Sequence, residues 1–366
     1  MGEAVKNLYV HFPFCRGKCT YCALYSKAGV SPADRESYVN NLTRSISSLI
    51  PFPSSLSTIY FGGGSPALCD LKPLFKALNP LIDSNTEFSV ELHPLDVTRE
   101  TLQALKYGGV NRISMGLQSL NDEVLKHMRR GYTFDEAEKA FHLIKEYFDN
   151  AGVDLIIGYP GDSWRKSPRL NRLTTWNLKH CSAYSLILEE NSALFKLTQT
   201  QTSPLKMYSD EKIMDELSFI SHFLKNTGLK RYEISNYSAP GYECRHNMAT
   251  WIGEDYYGLG IGAHGRIGLK RTRNWWGQSP EVKPSLIFPQ WGQSPEMETV
   301  SEEFDFKERK IFSLRTARGL NAGDCPHWIE RLDRFVEEGL LEKENLVYRL
   351  TERGFEVCDS ILADLI

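Results

Sequence analysis

Apolar residues along the chain alternate between two rhythms. Short apolar runs at 8–12, 58–61, 88–92, 112–115, 153–157 and 182–188 read as strands, and the segments between them take the longer helical period. Ser31-Pro32-Ala33-Asp34 supplies an N-cap, a proline at the first helical position and an acid in the first turn. Thr133-Phe134-Asp135-Glu136 is a capping box, and Ala137, Ala140, Phe141, Ile144 and Phe148 behind it form a stripe that faces a core. Six strand–helix units in series predict a parallel sheet with helices outside it. Such sheets carry their chemistry at the carboxyl ends of the strands. The cysteines within 15–22, the glycines of 62–64, Glu91, Gln118 and the run 154–161 all fall at or just beyond a predicted strand end.

From about Glu302 the pattern changes. Helical segments at 307–314 and 327–338 precede a turn at 339–342, strand-like alternation over 346–351 and a last helix. Helix, helix, short hairpin, helix is the order of a winged-helix-type module. Many such modules bind DNA, but fold alone does not establish that. With a net charge of -3 and no basic stripe, nucleic acid is not an expected partner. Just before this region the hexapeptide 276–281 (Trp-Gly-Gln-Ser-Pro-Glu) recurs at 291–296, one duplication that enlarges a surface loop at little cost. The expected organisation is a core over 1–235, a connecting region over 236–300 and a C-terminal domain over 301–366.

Composition adds bounds rather than detail. At 366 residues, 41% hydrophobic and 24% charged, the chain has room for about two domains and resembles ordinary globular proteins. No apolar stretch approaches the roughly 20 residues that span a bilayer. Five of the eight cysteines are scattered, at Cys69, Cys181, Cys244, Cys325 and Cys358. Together with the lack of a secretory segment, this fits a reducing compartment, and a cytoplasmic location is expected.

The other three cysteines are grouped. His11-Phe12-Pro13-Phe14-Cys15-Arg16-Gly17-Lys18-Cys19-Thr20-Tyr21-Cys22 has the spacing Cys-x3-Cys-x2-Cys. Four thiolates saturate a four-iron cube, whereas three leave one iron open to a substrate or cofactor. A structural zinc site wants four ligands, usually two separated pairs, and no second Cys-x2-Cys or His-x3-His occurs in the sequence. A catalytic thiol needs no such neighbours.

This spacing is that of the radical S-adenosylmethionine (SAM) enzymes. The segments Tyr9-Val10-His11-Phe12-Pro13-Phe14-Cys15, 61–66 (Phe-Gly-Gly-Gly-Ser-Pro), 109–119 and 154–161 resemble, in order, the oxygen-independent coproporphyrinogen III oxidase (HemN) family. The last seventy or so residues are also similar to that family's C-terminal domain. The resemblance implies an α/β fold, a partial (β/α)6 TIM-like barrel with a C-terminal winged-helix-like domain. It implies a [4Fe–4S] cluster on Cys15, Cys19 and Cys22, whose open iron chelates the methionine part of SAM. A reductant would then drive release of a 5'-deoxyadenosyl radical. It assigns the SAM contacts to Tyr9, Tyr21, Gly63, Gly64, Ser65, Glu91, Gln118, Arg130 and Asp154. Glycines let main chain approach the amino group, carboxylates suit ribose hydroxyls, and a cation suits the methionine carboxylate. Two positions depart from the family: Glu91-Leu92-His93-Pro94 replaces Glu-x-Asn-Pro, and Arg130-Gly131-Tyr132 replaces Arg-x-His.

The family divides into porphyrinogen dehydrogenases and haem chaperones. Leu24 stands where dehydrogenases carry a further cysteine, the chain begins almost on its first strand, and 245–251 (Arg-His-Asn-Met-Ala-Thr-Trp) resembles the chaperones' His-Asn-x-x-Tyr-Trp motif. On that resemblance His246 is the candidate axial ligand for haem, with Arg245, Arg266, Lys270, Arg271 and Arg273 as propionate partners. Read from the residues alone, His246 is rather a loop histidine in a solvated charged stretch, and Thr250 stands where the motif has tyrosine. The favoured reading is a chaperone that binds cluster, SAM and haem and passes haem to an acceptor protein. The alternatives are oxidative decarboxylation of coproporphyrinogen III to protoporphyrinogen IX, a radical SAM methyltransferase, a haem-degrading relative, or a cluster that only gates haem transfer.

Overall fold

The computed structural model describes residues 5–48, 55–199, 205–273 and 296–365. Apart from Glu296, the duplicated hexapeptide lies outside the described residues. Six parallel strands follow one another in chain order: β1 (Asn7–Phe12), β2 (Thr58–Gly63), β3 (Glu87–Leu92), β4 (Arg112–Gln118), β5 (Ala151–Ile157) and β6 (His180–Ser185). The intervening helices include α1 (Pro32–Ser48), α2 (Lys72–Leu78), α3 (Arg99–Tyr107), α4 (Asp122–His127) and α5 (Phe134–Tyr147), the last with both halves of the predicted capping box formed. A 3-10 helix over Leu170–Trp176, not an α-helix, connects β5 to β6. The sixth strand stops at Ser185, short of the expected 188. Its neighbour β5 ends at Ile157, whose carbonyl accepts from Leu186, and beyond that no ladder remains to hold the chain extended.

Each strand divides its side chains between two faces, as the period of two requires. One set, including Leu8, Val10, Phe12, Ile59, Phe61, Phe88, Val90, Ile113, Met115, Val153 and Leu155, packs beneath Tyr38, Leu42, Leu74, Leu102, Phe141 and Ile144 of the outer helices. The other set is polar. Asn7, Tyr9, His11, Thr58, Tyr60, Glu87, Ser89, Glu91, Arg112, Ser114, Asp154, His180 and Ser182 share the inner face, and hydrogen bonds run along it from strand to strand. The fold therefore spends its apolar residues on one face and lines the concave face with chemistry.

The sheet extends at both edges to twelve strands in a linear order, the topology of an open barrel. Following helices α6 (Ala193–Thr198) and α7 (Asp210–Asn226), β7 (Lys230–Arg231) and β8 (Asn236–Ser238) add antiparallel strands beyond β6. After helix α8 (Arg245–Trp251), β9 (Tyr256–Leu259) adds a seventh parallel strand against β1, followed by antiparallel β10 (His264–Ile267), β11 (Lys270–Arg273) and β12 (Glu296–Thr299). Much of 236–300 is thus woven into the sheet.

A second core gathers Leu314, Leu320, Trp328, Leu332, Tyr348, Ile361 and Leu362. They come from α9 (Glu302–Leu314), α10 (Ile329–Glu337) and the 3-10 turn Pro326–Trp328 before it, α11 (Cys358–Leu365) and a sheet of β13 (Leu320–Asn321), β14 (Leu341–Glu344) and β15 (Val347–Leu350). Helix α9 starts five residues before the expected 307 because Ser301 caps it, accepting from the Phe304 N–H. Arg266 and Arg271 pair with Asp305 and Glu308 of α9 at 2.5–3.0 Å. These two arginines, expected beside propionates, instead bind the sheet to α9. Among the described residues, no helix is long and apolar enough to cross a membrane.

Candidate active site

The cysteine loop leaves the carboxyl end of β1 and is clamped on two sides. Arg16 pairs with Asp96 at 2.5 Å, and Asp96 also accepts from the buried hydroxyl of Ser65. On the opposite flank, buried Thr20 bonds the His127 carbonyl (3.1 Å) and the Tyr159 hydroxyl (3.0 Å), while its N–H donates to the Met128 carbonyl. The glycine turn after β2 is tied to the same loop, Gly64 N–H to Phe12 O and Ser65 N–H to Phe14 O, both at 2.7 Å.

Cys15, Cys19 and Cys22 carry free, half-buried thiols. Burial pushes Cys15 and Cys22 above the ordinary thiol range, the neighbouring sulfurs push the same way, and Lys18 opposes them. Converting such thiols to thiolates needs positive charge between them, which an iron–sulfur cluster supplies. Among the described residues, no three His, Cys, Asp or Glu side chains gather closely enough for a single ion. A cluster takes one thiolate per iron corner, so this donor set fits it.

Arg130 reaches the loop from beyond α4. Its guanidinium lies 3.4 Å from the Cys19 sulfur and 3.5 Å from the Tyr21 hydroxyl, and it donates to the Gly116 carbonyl at 3.0 Å. The buried hydroxyl of Tyr132 accepts from Arg130 Nε at 3.1 Å and donates to the Gly116 carbonyl at 2.7 Å. His93 packs edge-on against the Tyr132 ring at 5.2 Å. Burial, Arg130 and Arg16 hold its imidazole down to about 3, so it is neutral, and its Nδ1 accepts from the Leu95 N–H. The two departures from the family pattern thus touch each other and together brace Arg130.

Gln118 closes β4 at a bulge with φ of 67°, in the left-handed region that a non-glycine residue enters only when its surroundings impose it. Arg129, just before Arg130, is left-handed as well. Glu91 accepts from the Tyr60 hydroxyl (2.9 Å) and the Gly63 N–H (3.0 Å). Burial, then Asp154, pushes its carboxyl up to about 7. Asp154 is raised by burial too, although Ser182 and Ser114 donate to it. Tyr9 meets the His11 imidazole at 3.0 Å on the same face. The structure therefore joins Tyr9, Tyr21, Gly63, Gly64, Glu91, Gln118, Arg130 and Asp154 into one region around the cysteines. Ser65 differs: its hydroxyl is spent on Asp96, so it supports the loop from behind. His11, Thr20, Tyr60 and Asp96 carry weight that the motifs did not single out. Of these, His11 and Tyr60 were legible as positions alternating with apolar neighbours along β1 and β2.

His246 sits elsewhere. It is only 6% exposed, at the amino-terminal end of β2, with Nδ1 2.8 Å from the Thr58 hydroxyl and its ring against Tyr9, Tyr60 and Tyr256. Glu87 caps its helix by accepting the Arg245 and His246 N–H groups. Burial and Arg112 hold the imidazole down to about 3. Trp251, at the other end of α8, meets Phe312 of α9 edge-on at 5.5 Å. The imidazole of the motif read as a haem site is thus enclosed as a plug under the barrel, not exposed on a loop. His246→Ala is expected to cost about 2 kcal/mol of stability by leaving a cavity in the aromatic box and removing one of the two partners of the Thr58 hydroxyl. Urea denaturation measures this, and a change below roughly 0.5 kcal/mol, the range of a surface site, would contradict the plug.

Against proteins of known sequence, residues 9–170 match the radical SAM superfamily. The chain is 33% identical to "Heme chaperone HemW" of Bacillus subtilis, over 96% of each chain. The chain belongs to the HemN/HemW family of radical SAM proteins. Membership brings with it a [4Fe–4S] cluster and SAM. A further HemW, from Escherichia coli, is 27% identical over 97% of each chain. The coproporphyrinogen III oxidase HemN of Escherichia coli superposes with a TM-score of 0.81 at 20% identity, covering 99% of this chain and 90% of that one, which establishes the shared fold.

Proposed function

We propose that this chain is a haem chaperone on a radical SAM scaffold, taking up haem and passing it to an acceptor protein in the cytoplasm. The observation that carries the proposal is the end-to-end kinship with relatives named haem chaperones, with the three-thiol loop intact. Leu24, 56% exposed beside the loop where the dehydrogenase branch carries a cysteine, supports the same reading.

In this reading Cys15, Cys19 and Cys22 hold the cluster. Together, cluster and SAM supply one-electron reductive cleavage chemistry once a reductant is present. The chain's own part is positioning. The Gly63, Gly64 and Ser65 N–H groups are already spent on Glu91, Phe12 and Phe14, so the turn meets the methionine ammonium through its carbonyls. Arg130, braced by Tyr132 and His93, faces the methionine carboxylate. Glu91 and Asp154 accept the ribose hydroxyls, with Gln118 beside them. Tyr9 and Tyr21 enclose the cofactor.

Anaerobically reconstituted protein, incubated with SAM, a reductant and coproporphyrinogen III, is expected to form no protoporphyrinogen IX while taking up haem stably. Product formation would make it a dehydrogenase.

The Glu91 carboxyl adds a pH dependence. An ionised carboxylate accepts ribose hydroxyls better than the acid does, so SAM affinity should rise with pH through about 7, where Glu91 titrates. The SAM-free protein behaves in the opposite sense. Folded Glu91 holds its proton to about 7 while the unfolded group releases it near 4.5, so stability falls as pH rises across that window and is level above it. Isothermal titration from pH 6 to 8 checks the first statement, and a flat profile that Glu91→Gln leaves unchanged would refute it.

A further inference from the structure

We infer that His264, not His246, supplies the axial imidazole for haem, on the inner face of β10 beside the end of the cysteine loop. The inference rests on the haem-chaperone reading and names the ligand within it.

The nine histidines of the chain can be sorted by what surrounds them. His11, His180 and His246 are buried, and His93 is wedged between Tyr132 and the Leu95 main chain. His127, His142 and His222 are exposed on the outer helices α4, α5 and α7, and His327 lies in the C-terminal module. His264 alone is a solvent-exposed histidine on a strand of the sheet.

Register fixes which face it occupies. Tyr256 pairs across with Arg266, and Tyr256, Arg266 and His264 share one face by the two-residue period. Tyr256 meets His246 there, and Tyr9 meets His246 from β1, so this is the polar inner face. Strand direction fixes the level. Strand β9 runs parallel to β1 and β10 runs back against β9, so His264 lies across from Gly258, level with Tyr9 of β1, and the turn just before it, at Gly260 and Gly262, reaches His11 and the end of the cysteine loop.

The immediate surroundings suit a flat apolar ring with a metal at its centre. His264 is close enough to His11 to influence its charge, and His11 Nε2 bonds the Tyr25 carbonyl at 3.2 Å. A methyl placed on Gly262 would lie 3.4 Å from the Tyr25 Cβ, so the β9–β10 turn and the end of the cysteine loop adjoin. Tyr25 and Leu24 there are 45% and 56% exposed, an apolar rim next to the histidine. Burial and Arg273 lower the proton affinity of His264, favouring the neutral ring that a metal ligand requires. The opposed environments of His246 and His264 decide the assignment: one imidazole is enclosed on every side, and the other projects into solvent beside the end of the cysteine loop.

The test is a titration of ferric haem into cluster-reconstituted protein, read by absorption and electron paramagnetic resonance. The wild type is expected to show histidine ligation. His264→Ala should bind haem at least about tenfold more weakly, since loss of a ligand exceeds the loss of a group that merely orients one. His264→Cys should bring in a thiolate-ligated signature, with iron and sulfide content unchanged in both variants. His246→Ala, once its melt shows it folded, should keep the wild-type haem spectrum. Unaltered spectra and affinity in both His264 variants, or a loss that follows His246→Ala or His127→Ala instead, would overturn the assignment and leave the chaperone reading standing. A wild type that takes up no haem would remove that reading itself.

Discussion

A Cys19→Ala variant, reconstituted anaerobically with iron and sulfide, is expected to retain no [4Fe–4S] cluster. The loop offers three thiols, the cluster needs each of them, and the neighbouring sequence holds no replacement. Cys19 is also the sulfur that Arg130 approaches at 3.4 Å, so its loss takes away both a ligand and the partner of a buried cation. The fold should survive, because the loop is clamped through Arg16 to Asp96 and through Thr20 to Tyr159, and neither clamp involves the sulfur. Cys69→Ala is the control. Burial pushes that thiol up to about 12, which leaves it a packed, unreactive group, and the variant should load iron fully. Iron and sulfide analysis decides the matter: a Cys19 variant with wild-type content would remove the cluster from this loop.

The sequence made the cysteine loop legible because its spacing is a covalent constraint that needs no tertiary information. The six parallel strands were legible for a similar reason: each is a short apolar run between helical segments. What the runs concealed was their second period. Thr58, Tyr60 and Gly62 alternate with Ile59 and Phe61, and Glu87, Ser89 and Glu91 alternate with Phe88 and Val90. That alternation puts the polar residues of neighbouring strands on one concave face.

Long-range pairing was beyond reach. Nothing local in 245–251 tells whether its histidine points outward to a ligand or inward beneath a barrel. That depends on Thr58 and Glu87, 188 and 159 residues earlier in the chain. The cations misled for the same reason. Arg266 and Arg271 look free in the sequence, and Asp305 and Glu308 claim them only once α9 folds back. The His93–Tyr132 contact shows the complementary case. Two departures that looked independent, 39 positions apart by their numbers, become one braced support for Arg130 when β3 and β4 lie side by side.

Gly64→Ala should drive the glycine turn and the cysteine loop apart. A Cβ there would lie 2.3 Å from the Phe14 carbonyl oxygen, 2.8 Å from that of Phe12 and 2.9 Å from the Cys15 sulfur. Two of the three obstacles are main chain, and they are the carbonyls that accept from Ser65 and Gly64. No rotamer change relieves the contact. The turn after β2 and the cysteine loop must separate, breaking the bonds that fix Cys15 in place. The expected cost is about 3 kcal/mol or more, the upper end for overpacking, together with loss of cluster loading. Gly17→Ala supplies the comparison inside the same loop. Nothing lies within 4 Å of its would-be methyl and its backbone is not left-handed, so stability and iron content should match the wild type. Denaturant melts and iron analysis of the two variants separate close packing at residue 64 from a general intolerance of the loop. Equal behaviour of the pair would mean that the glycine turn and the cysteine loop are not coupled as their hydrogen bonds indicate.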